Sequence, residues 1–457
     1  MRTRQLFLLA TATVWACNQT PDDNPFDGAA GSTSTTDPSA SGNTPSPTTA
    51  VDGTGTEASG AATTTADSSG GGEGPIFDVS VDDIPIPVDC NCGNDDWSYI
   101  WVANANQGTV SKINTETMVE EGRYLTRPDG AGNPSRTSVS VNARSVAVAN
   151  RYGGLVRIWA RDQFCDPMAN GQAGLQTSTG AGDVLPWGED DCISWYTPFP
   201  TLTTQRPVAW SGVVDAANCE DEAVWTAGCG GGFSPGFGSG NTEVFRLDGS
   251  DGTIIDSLVV PNYPCAAFGP YGGAIDPAGD FWIVHNGGDV AVIRADTLDS
   301  EVFSRPGDLQ PYGITADADG YIWVSGYNEP NGIGRLDPST GQWDVIAGSV
   351  GQGGVTQTSD GRIWTAYWSS SFHDDQGVVW FDPTTLTLGG SISVPGGTVK
   401  GVSADLNGFL WAVTGTAHKI DLSTDTIVDN YAGLSGPYTY SDMTGAGLQN
   451  VACDPAG

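Results

Sequence analysis

Beyond the first seventy-five residues the chain alternates apolar and polar positions in short runs broken by turn residues, the pattern of half-buried strands. One stretch, PYGITADADGYIWVSGYNEPNGIGRLDPSTGQWDV from Pro311 to Val345, holds a complete cycle. Gly313 to Asp317 predicts a short strand, Asp319-Gly320 a tight turn, and Tyr321 to Ser325 a second strand of aromatic and β-branched residues. Gly332 to Asp337 predicts a third strand. The Pro338-Ser-Thr-Gly341 turn then leads into a fourth on Trp343 and Val345, which completes a four-strand meander in about forty residues.

The cycle repeats on both sides. PYGGAIDPAGDFWIV begins at Pro270, with Gly279 three residues before Trp282, as Gly320 stands before Trp323. GGVTQTSDGRIWTA and KGVSADLNGFLWAV follow, with Gly361 before Trp364 and Gly408 before Trp411. The spacing between these tryptophans is 41, 41 and 47 residues. Upstream, SYIWVAN, SVAVAN and EAVWTAG put Trp101, Ala147 and Trp225 in the same slot. The expected fold is therefore all-β: a seven-bladed β-propeller of four-stranded blades, preceded by a disordered linker. Third strands share a second phrase, from SKINTET at 111 to HKIDLSTD at 418, and six of the seven carry Lys or Arg. Pairing with a carboxylate of the neighbouring blade is the expectation for these bases.

Charge and the chain ends add to this picture. Arg2 and Arg4 precede an apolar run, Leu6 to Ala16, too short for a permanent membrane helix, so residues 1–17 predict an export signal. It ends in Val14-Trp15-Ala16-Cys17, which resembles a bacterial lipobox apart from Trp15, and makes Cys17 the expected lipidation site. Residues 18–75 are rich in Ser, Thr, Gly, Pro and Asp, with one aromatic and no Lys or Arg, and predict a disordered tether. Such a coil spans on the order of 40 Å. Residues 76–457 form the propeller domain, closed by a C-terminal strand in YTYSDMTGAGLQNVA that joins blade one. The chain has 54 acids and 18 bases; without the eight acids and two arginines of residues 1–75, the domain keeps 46 against 16, a net of −30. That surface excludes nucleic acid as a partner, because phosphates are repelled over most of it.

Nine cysteines less Cys17 leave an even number, as expected for an exported protein with disulfides. Cys165 and Cys192 flank a loop-like insertion and form the first expected pair. Cys229 and Cys265 form a second, and Cys453 is placed to reach Cys90 or Cys92. No spacing suits zinc.

PYGITADADGYIWVSG and NGIGRLDPSTG resemble NHL-type and streptogramin B (virginiamycin B) lyase-like propellers over roughly residues 97–440. The resemblance implies the fold, and for the lyases a magnesium-dependent elimination by paired His with Glu. Here the slots before the inner-strand glycine hold Tyr271, Tyr312, Gly353 and Lys400. The slots three after the tryptophan hold His285, Gly326, Tyr367 and Thr414. No lyase residue transfers, so the expectation leans away from an enzyme. A metal-dependent lyase or lactonase, with Mg or Ca, is the alternative. Asp317-Ala-Asp319-Gly320 and Asp405-Leu-Asn407-Gly408 fit hairpin turns as well as fragments of a calcium loop, and the bidentate Glu of an EF-hand is missing. His373 falls in a polar loop and His418 on a third strand.

The remaining candidate chemistry is cationic. Counting back from each tryptophan strand puts Arg136, Arg206, Tyr271, Tyr312 and Lys400 at one end of the axis with His285. Two readings stay open: the bases pair with rim carboxylates such as Asp442, or they bind a small anion between fork-shaped donors and phenol rings. The function expected is that of a monomeric lipoprotein, periplasmic or cell-surface, with no catalytic residue and no cofactor. Its partners would be the membrane, through its anchor, and a small anionic ligand or an envelope component.

Overall fold

The computed structural model describes residues 98–452 apart from 216–219, 222, 233, 266–267, 328–331, 348–350 and 369–375. Cys17, Cys90, Cys92, Cys453 and His373 lie outside the described residues, as does the leader with its tether.

Strand pairing follows the sequence period. One three-stranded sheet, four four-stranded sheets and an eight-stranded sheet made of two four-stranded units joined by one parallel pair account for seven blades among the described residues. In the unit read first, the strands are Pro311–Ala316, Ile322–Gly326, Gly332–Asp337 and Gln342–Ala347. Six of the seven units bury a tryptophan in this slot, where the unit of Ser145–Asn150 has Ala147: Trp101, Trp225, Trp282, Trp323, Trp364 and Trp411 are at most 1% exposed. These rings fill the space between successive blades, where burying a large apolar side chain contributes about 1.5–3 kcal/mol.

Two local devices hold the repeat together. In blades four, five and seven, Asp276, Asp317 and Asp405 accept the indole N–H of Trp282, Trp323 and Trp411, six residues on, at 2.7, 2.7 and 2.8 Å. The same Asp317 carboxylate accepts the N–H of Asp319 and Tyr321, which fixes the hairpin. The turn reading of these acidic phrases is thus accounted for in full by hydrogen bonds.

The second device departs from expectation. The third-strand bases reach to the next blade, but most find a backbone carbonyl there instead of a carboxylate. Lys112 donates to Ala160 at 3.0 Å, Arg157 to Gly249 at 2.9 Å, Arg246 to Ala295 at 2.7 Å and Arg335 to Pro383 at 2.8 Å. Lys419 closes the circle on Thr115 at 2.6 Å. The carbonyls belong to turns whose orphan acceptors need a donor. Where carboxylates pair with these arginines they come from the same blade, as in Arg246–Asp256, Arg294–Asp280 and Arg335–Asp344.

Blade one has only three regular strands, Tyr99–Asn104, Thr109–Asn114 and Glu120–Leu125. Its inner position is taken by the segment 437–443. The Tyr438 N–H donates to the Ala103 carbonyl at 3.0 Å, and the Trp101 N–H donates to Met443 at 2.8 Å. The sequence reading of one continuous strand through YTYSDMTGAGLQNVA needs correction in its second half: Ala446–Ala452 is an α-helix. Asp442 starts it, accepting the N–H of Gly445 at 2.8 Å and of Leu448 at 3.1 Å. Leu448 and Val451, three apart, face the core. Gln449 donates to Val141 at 2.7 Å and Asn450 to Gln357 at 3.1 Å, both just beyond or at the far ends of inner strands. The helix therefore caps one end of the axial channel.

Both expected disulfides with described cysteines are present, Cys165–Cys192 and Cys229–Cys265, with Cα atoms 4.6 and 6.3 Å apart. No helix among the described residues is long and apolar enough to cross a membrane.

Candidate site at the channel mouth

The inner strands Pro134–Val139, Leu202–Trp210, Pro270–Ile275, Pro311–Ala316, Gln352–Gln357 and Gly401–Ala404 stand side by side around the axis. Crowding there explains the glycine in each phrase. A Cβ on Gly272 would meet the Ile314 side chain at 2.9 Å, one on Gly354 the Val402 nitrogen at 2.8 Å, and one on Gly401 the Thr439 carbonyl at 2.7 Å. The residue before each glycine is therefore positioned at the mouth opposite the helix.

Five of the six residues expected there meet around one group of rings. Arg136 lies with its guanidinium carbon 4.8 Å from the ring centre of Tyr271 and 4.1 Å from that of Tyr440. Arg206 lies 4.9 Å from Tyr271, and the Lys400 amine 4.9 Å from Tyr438. Tyr271 and Tyr312 join through their hydroxyls at 3.1 Å. His285 stands apart, which corrects the expectation. Its ring stacks on Tyr263 with centres 3.8 Å apart and bonds the Thr242 hydroxyl at 3.0 Å, in the space between blades three and four. Burial pushes this imidazole down to about 4. The slot three after the tryptophan pairs with Pro270, one residue before the tyrosine, so neighbouring positions of the hairpin face opposite sides.

Three members were not singled out from sequence. Arg151, just after the strand Ser145–Asn150, brings its guanidinium to 4.5 Å from the Tyr438 ring. Tyr438 and Tyr440 come from the closing segment. The Tyr438 hydroxyl bonds those of Tyr271 and Tyr312, the second at 3.1 Å, and the Tyr312 hydroxyl donates to Tyr440. The phrase PYTY was the available signal, since it repeats the Pro-Tyr that opens the inner strands of blades four and five.

The electrostatics are lopsided. Arg136 and Arg206 are 1% and 2% exposed, while Arg151 and Lys400 are half-buried. No carboxylate among the described residues pairs with Arg136, Arg151 or Arg206. Arg136 donates only to its neighbour Ser135, and Arg206 to Thr204, Phe268 and Gly236. The Nε of all three arginines is buried with no acceptor. Asp442, expected as a partner in one reading, is occupied instead by the helix start. Burial together with Arg151 pushes Arg206 down to about 10. Burial also raises Tyr271, Tyr312 and Tyr440. For Tyr438 burial acts upward too, but Arg151, Arg136 and Arg206 outweigh it and bring the phenol down to about 8.

Around this floor, Phe237, Phe268, Tyr327 and Trp368 are half-buried rings. Tyr327 stacks on Tyr312 at 5.2 Å, Trp368 meets it edge-on, and Phe268 packs on Phe237 at 5.1 Å. Toward the helix lies a cavity of about 40 Å³ lined in part by Ser138, Ile275, Thr315, Thr356 and Leu448, room for a water or two. Among the described residues the groups converging at the mouth are three guanidiniums, an amine and four phenols, whereas a divalent cation such as the magnesium implied by the lyase resemblance takes oxygen ligands, chiefly carboxylates.

Fold and site together define a β-propeller with an arginine–tyrosine cluster at one channel mouth. No protein-family model and no curated protein sequence matches the chain. Among solved structures it is similar to a functionally unknown protein from Desulfotomaculum acetoxidans, at 14% identity over 74% of this chain and 96% of that one, TM-score 0.49. It is also similar to a streptogramin B lyase (17% identity, 67% and 84% covered, TM-score 0.44) and to virginiamycin B lyase from Staphylococcus aureus (18%, 70% and 92%, 0.46). These likenesses concern the fold.

Proposed function

We propose that the protein is a membrane-tethered binding protein whose propeller takes a small anionic ligand at the channel mouth. The observation that carries this reading is the set of three arginines that meet no carboxylate among the described residues, each with a buried Nε that has no acceptor among them. Burying a cation without a partner is costly, so such a cluster persists where an anion completes it. Guanidinium forks suit carboxylate or phosphate oxygens, and the half-buried rings suit a sugar or aromatic body attached to the anion. The domain's net charge of −30 repels anions at long range, but screening confines that field to about 8 Å at physiological salt.

Under the same reading Cys17 carries the lipid and residues 18–75 hold the propeller away from the bilayer. An intact-mass measurement of the mature N-terminus tests the anchor, which fails if cleavage falls elsewhere and no acyl chain is present. The ligand site is tested by thermal shift with galacturonate, citrate, benzoate and sulfate as probes. Stabilisation follows ligand concentration over Kd, so at a hundredfold excess it reaches about 2.7 kcal/mol. It should vanish in the double variant Arg136→Ala, Arg206→Ala. If a probe stabilises that variant as well as the parent, the mouth is not the site.

A further inference from the structure

We infer that the cleft between blades one and two, at the end of the strands away from the mouth, is a second binding site, and that it takes a neutral polyhydroxylated ligand, a monosaccharide or glycosyl unit. This site stands whether or not the mouth binds an anion.

Two departures from the repeat meet there. In blade five the third and fourth strands are joined by residues 338–341, but in blade two the same connection runs over residues 160–192. Connections longer than about 12–15 residues are uncommon in compact domains and usually carry function. This loop is closed at its base by Cys165–Cys192 and held in shape by its own acids: Asp190 accepts the Ser178 N–H at 3.1 Å and Asp183 that of Gly180 at 3.0 Å. It leans onto the outer strand of blade one, where the Arg123 N–H donates to the Ser178 hydroxyl at 3.0 Å and the Ala181 N–H to the Glu120 carboxylate at 3.0 Å. The second departure is a side chain. The outer strands of blades one, two, three, six and seven carry one extra residue at a bulge opposite the third strand: Glu121, Ser194, Ile255, Gly389 and Val428 in turn. Of these five, blade one alone puts a charged group there. The Glu121 carboxylate accepts from Tyr99 at 2.7 Å and from Asn114 at 2.9 Å, which fixes it on the cleft wall.

Loop and strand enclose a cleft of about 650 Å³, within the roughly 300–1,000 Å³ of small-molecule sites. Its wall interleaves acceptors and donors. Each Glu121 oxygen has a second lone pair beyond the one it uses. The Thr177 and Thr179 hydroxyls donate to Asp190 and Asp183, at 2.9 and 2.7 Å, and so present their oxygens as acceptors. Lys112 gives one proton to the Ala160 carbonyl at 3.0 Å, and an ammonium carries three. Arg161, beside the Tyr99 hydroxyl, and Gln163 bring guanidinium and amide N–H groups to the same wall. Burial and Glu121 push the Tyr99 phenol up to about 12, so it remains a donor to that carboxylate. Lys112 and Arg161 stand among Glu121 and Asp162, so the charges offset one another and do not call for an ionic ligand. A carboxylate or phosphate only accepts and an ammonium only donates, whereas a hydroxyl does both; neighbouring hydroxyls on a carbon ring match this wall. Val119, 54% exposed on the same wall, offers an apolar contact to the C–H face of such a ring.

The test uses the full chain. Glucose, galactose, mannose and N-acetylglucosamine are titrated by calorimetry, with saturation-transfer NMR for weak binding, and glycine and sulfate serve as zwitterionic and anionic probes. At least one sugar should bind saturably, and sulfate in excess should not displace it. Glu121→Gln should weaken the sugar about ten- to hundredfold, as loss of hydrogen bonds to a charged group does, and Thr179→Val about three- to tenfold. Thr179 is exposed, so its replacement decides the matter if Glu121→Gln disturbs the fold. Absence of binding by all four sugars overturns the site, as does a sugar that binds both variants as tightly as the parent. Displacement by sulfate would move the sugar to the mouth, and saturable glycine binding lost in Glu121→Gln would make the cleft an amino-acid site; either result overturns the polyol ligand.

Discussion

Arg136 and Tyr440 are 304 positions apart in the chain, yet their backbones form a parallel bridge and the guanidinium lies 4.1 Å from the centre of the phenol ring. The contact exists because the last segment closes blade one beside blade two, so the site and the ring closure are one construction.

That arrangement sets the first prediction. Arg136→Met keeps the side-chain volume while removing a buried charge and two cation–π contacts of about 0.5–2 kcal/mol each. Relief of the unpaired charge offsets much of this loss. Stability without ligand should change by no more than about 1 kcal/mol in urea unfolding, while stabilisation by anions is lost. A loss of about 3 kcal/mol or more would instead make Arg136 a structural residue.

A chain ended after Ser435 should fail to unfold cooperatively. It loses the backbone bonds to Ala103 and Trp101 and the buried Tyr438, Tyr440, Met443, Leu448 and Val451. At about 1.5–3 kcal/mol per large apolar side chain, the sum rivals the entire stability of an ordinary domain. Calorimetry showing one sharp transition at the parent temperature would contradict this.

Blade six lacks the carboxylate that its neighbours use. Thr358 stands six residues before Trp364, and the indole N–H of Trp364 is buried without an acceptor. Thr358→Asp should supply it, as Asp317 does for Trp323, and raise stability by about 1 kcal/mol, the net value of such a hydrogen bond. Thr358→Asn offers the acceptor without the charge. Unchanged stability in both would mean that the blade-six turn cannot adopt the geometry of blade five.

His285 should make the fold acid-sensitive. Its folded value of about 4 lies below the unfolded 6.5, so the unfolded chain binds more protons between them and stability falls as pH drops through that window. The loss is on the order of 3 kcal/mol by pH 4. His285→Phe keeps the stack on Tyr263 and should flatten the dependence between pH 6.5 and 4; equal slopes would show that another group is responsible.

Replacing Cys165 and Cys192 by Ser opens a loop with a sequence separation of 27. The expected cost is about 3–4 kcal/mol from chain entropy. A midpoint shift under about 1 kcal/mol would show that the loop is held by its hydrogen bonds instead. Asp190 and Asp191 accept several of these, from Ser178, Gln176 and Asn170.

The sequence by itself determined the repeat. Alternation of period two, Asp-Gly turns and a buried tryptophan recurring every 41 to 47 residues from Trp282 to Trp411 are local features, set by side-chain chemistry within one hairpin. The Tyr-Gly, Gly-Gly and Lys-Gly phrases marked inner strands for the same reason, since only glycine fits where two strands crowd at the axis. Cys165–Cys192 was legible because the pair brackets a single insertion. Tertiary structure alone decided the rest. His285 and Tyr271 sit on paired strands of one blade, but the pleat turns one into the gap between blades and the other toward the axis. Ala446–Ala452 is helical because Asp442 caps it and the core takes Leu448 and Val451; seven residues with a single i, i+3 apolar pair carry too little period to show it. Arg151, Tyr438 and Tyr440 became one site with Arg136 and Arg206 only when the ring closed, and no spacing within the chain encodes a contact that depends on seven blades meeting.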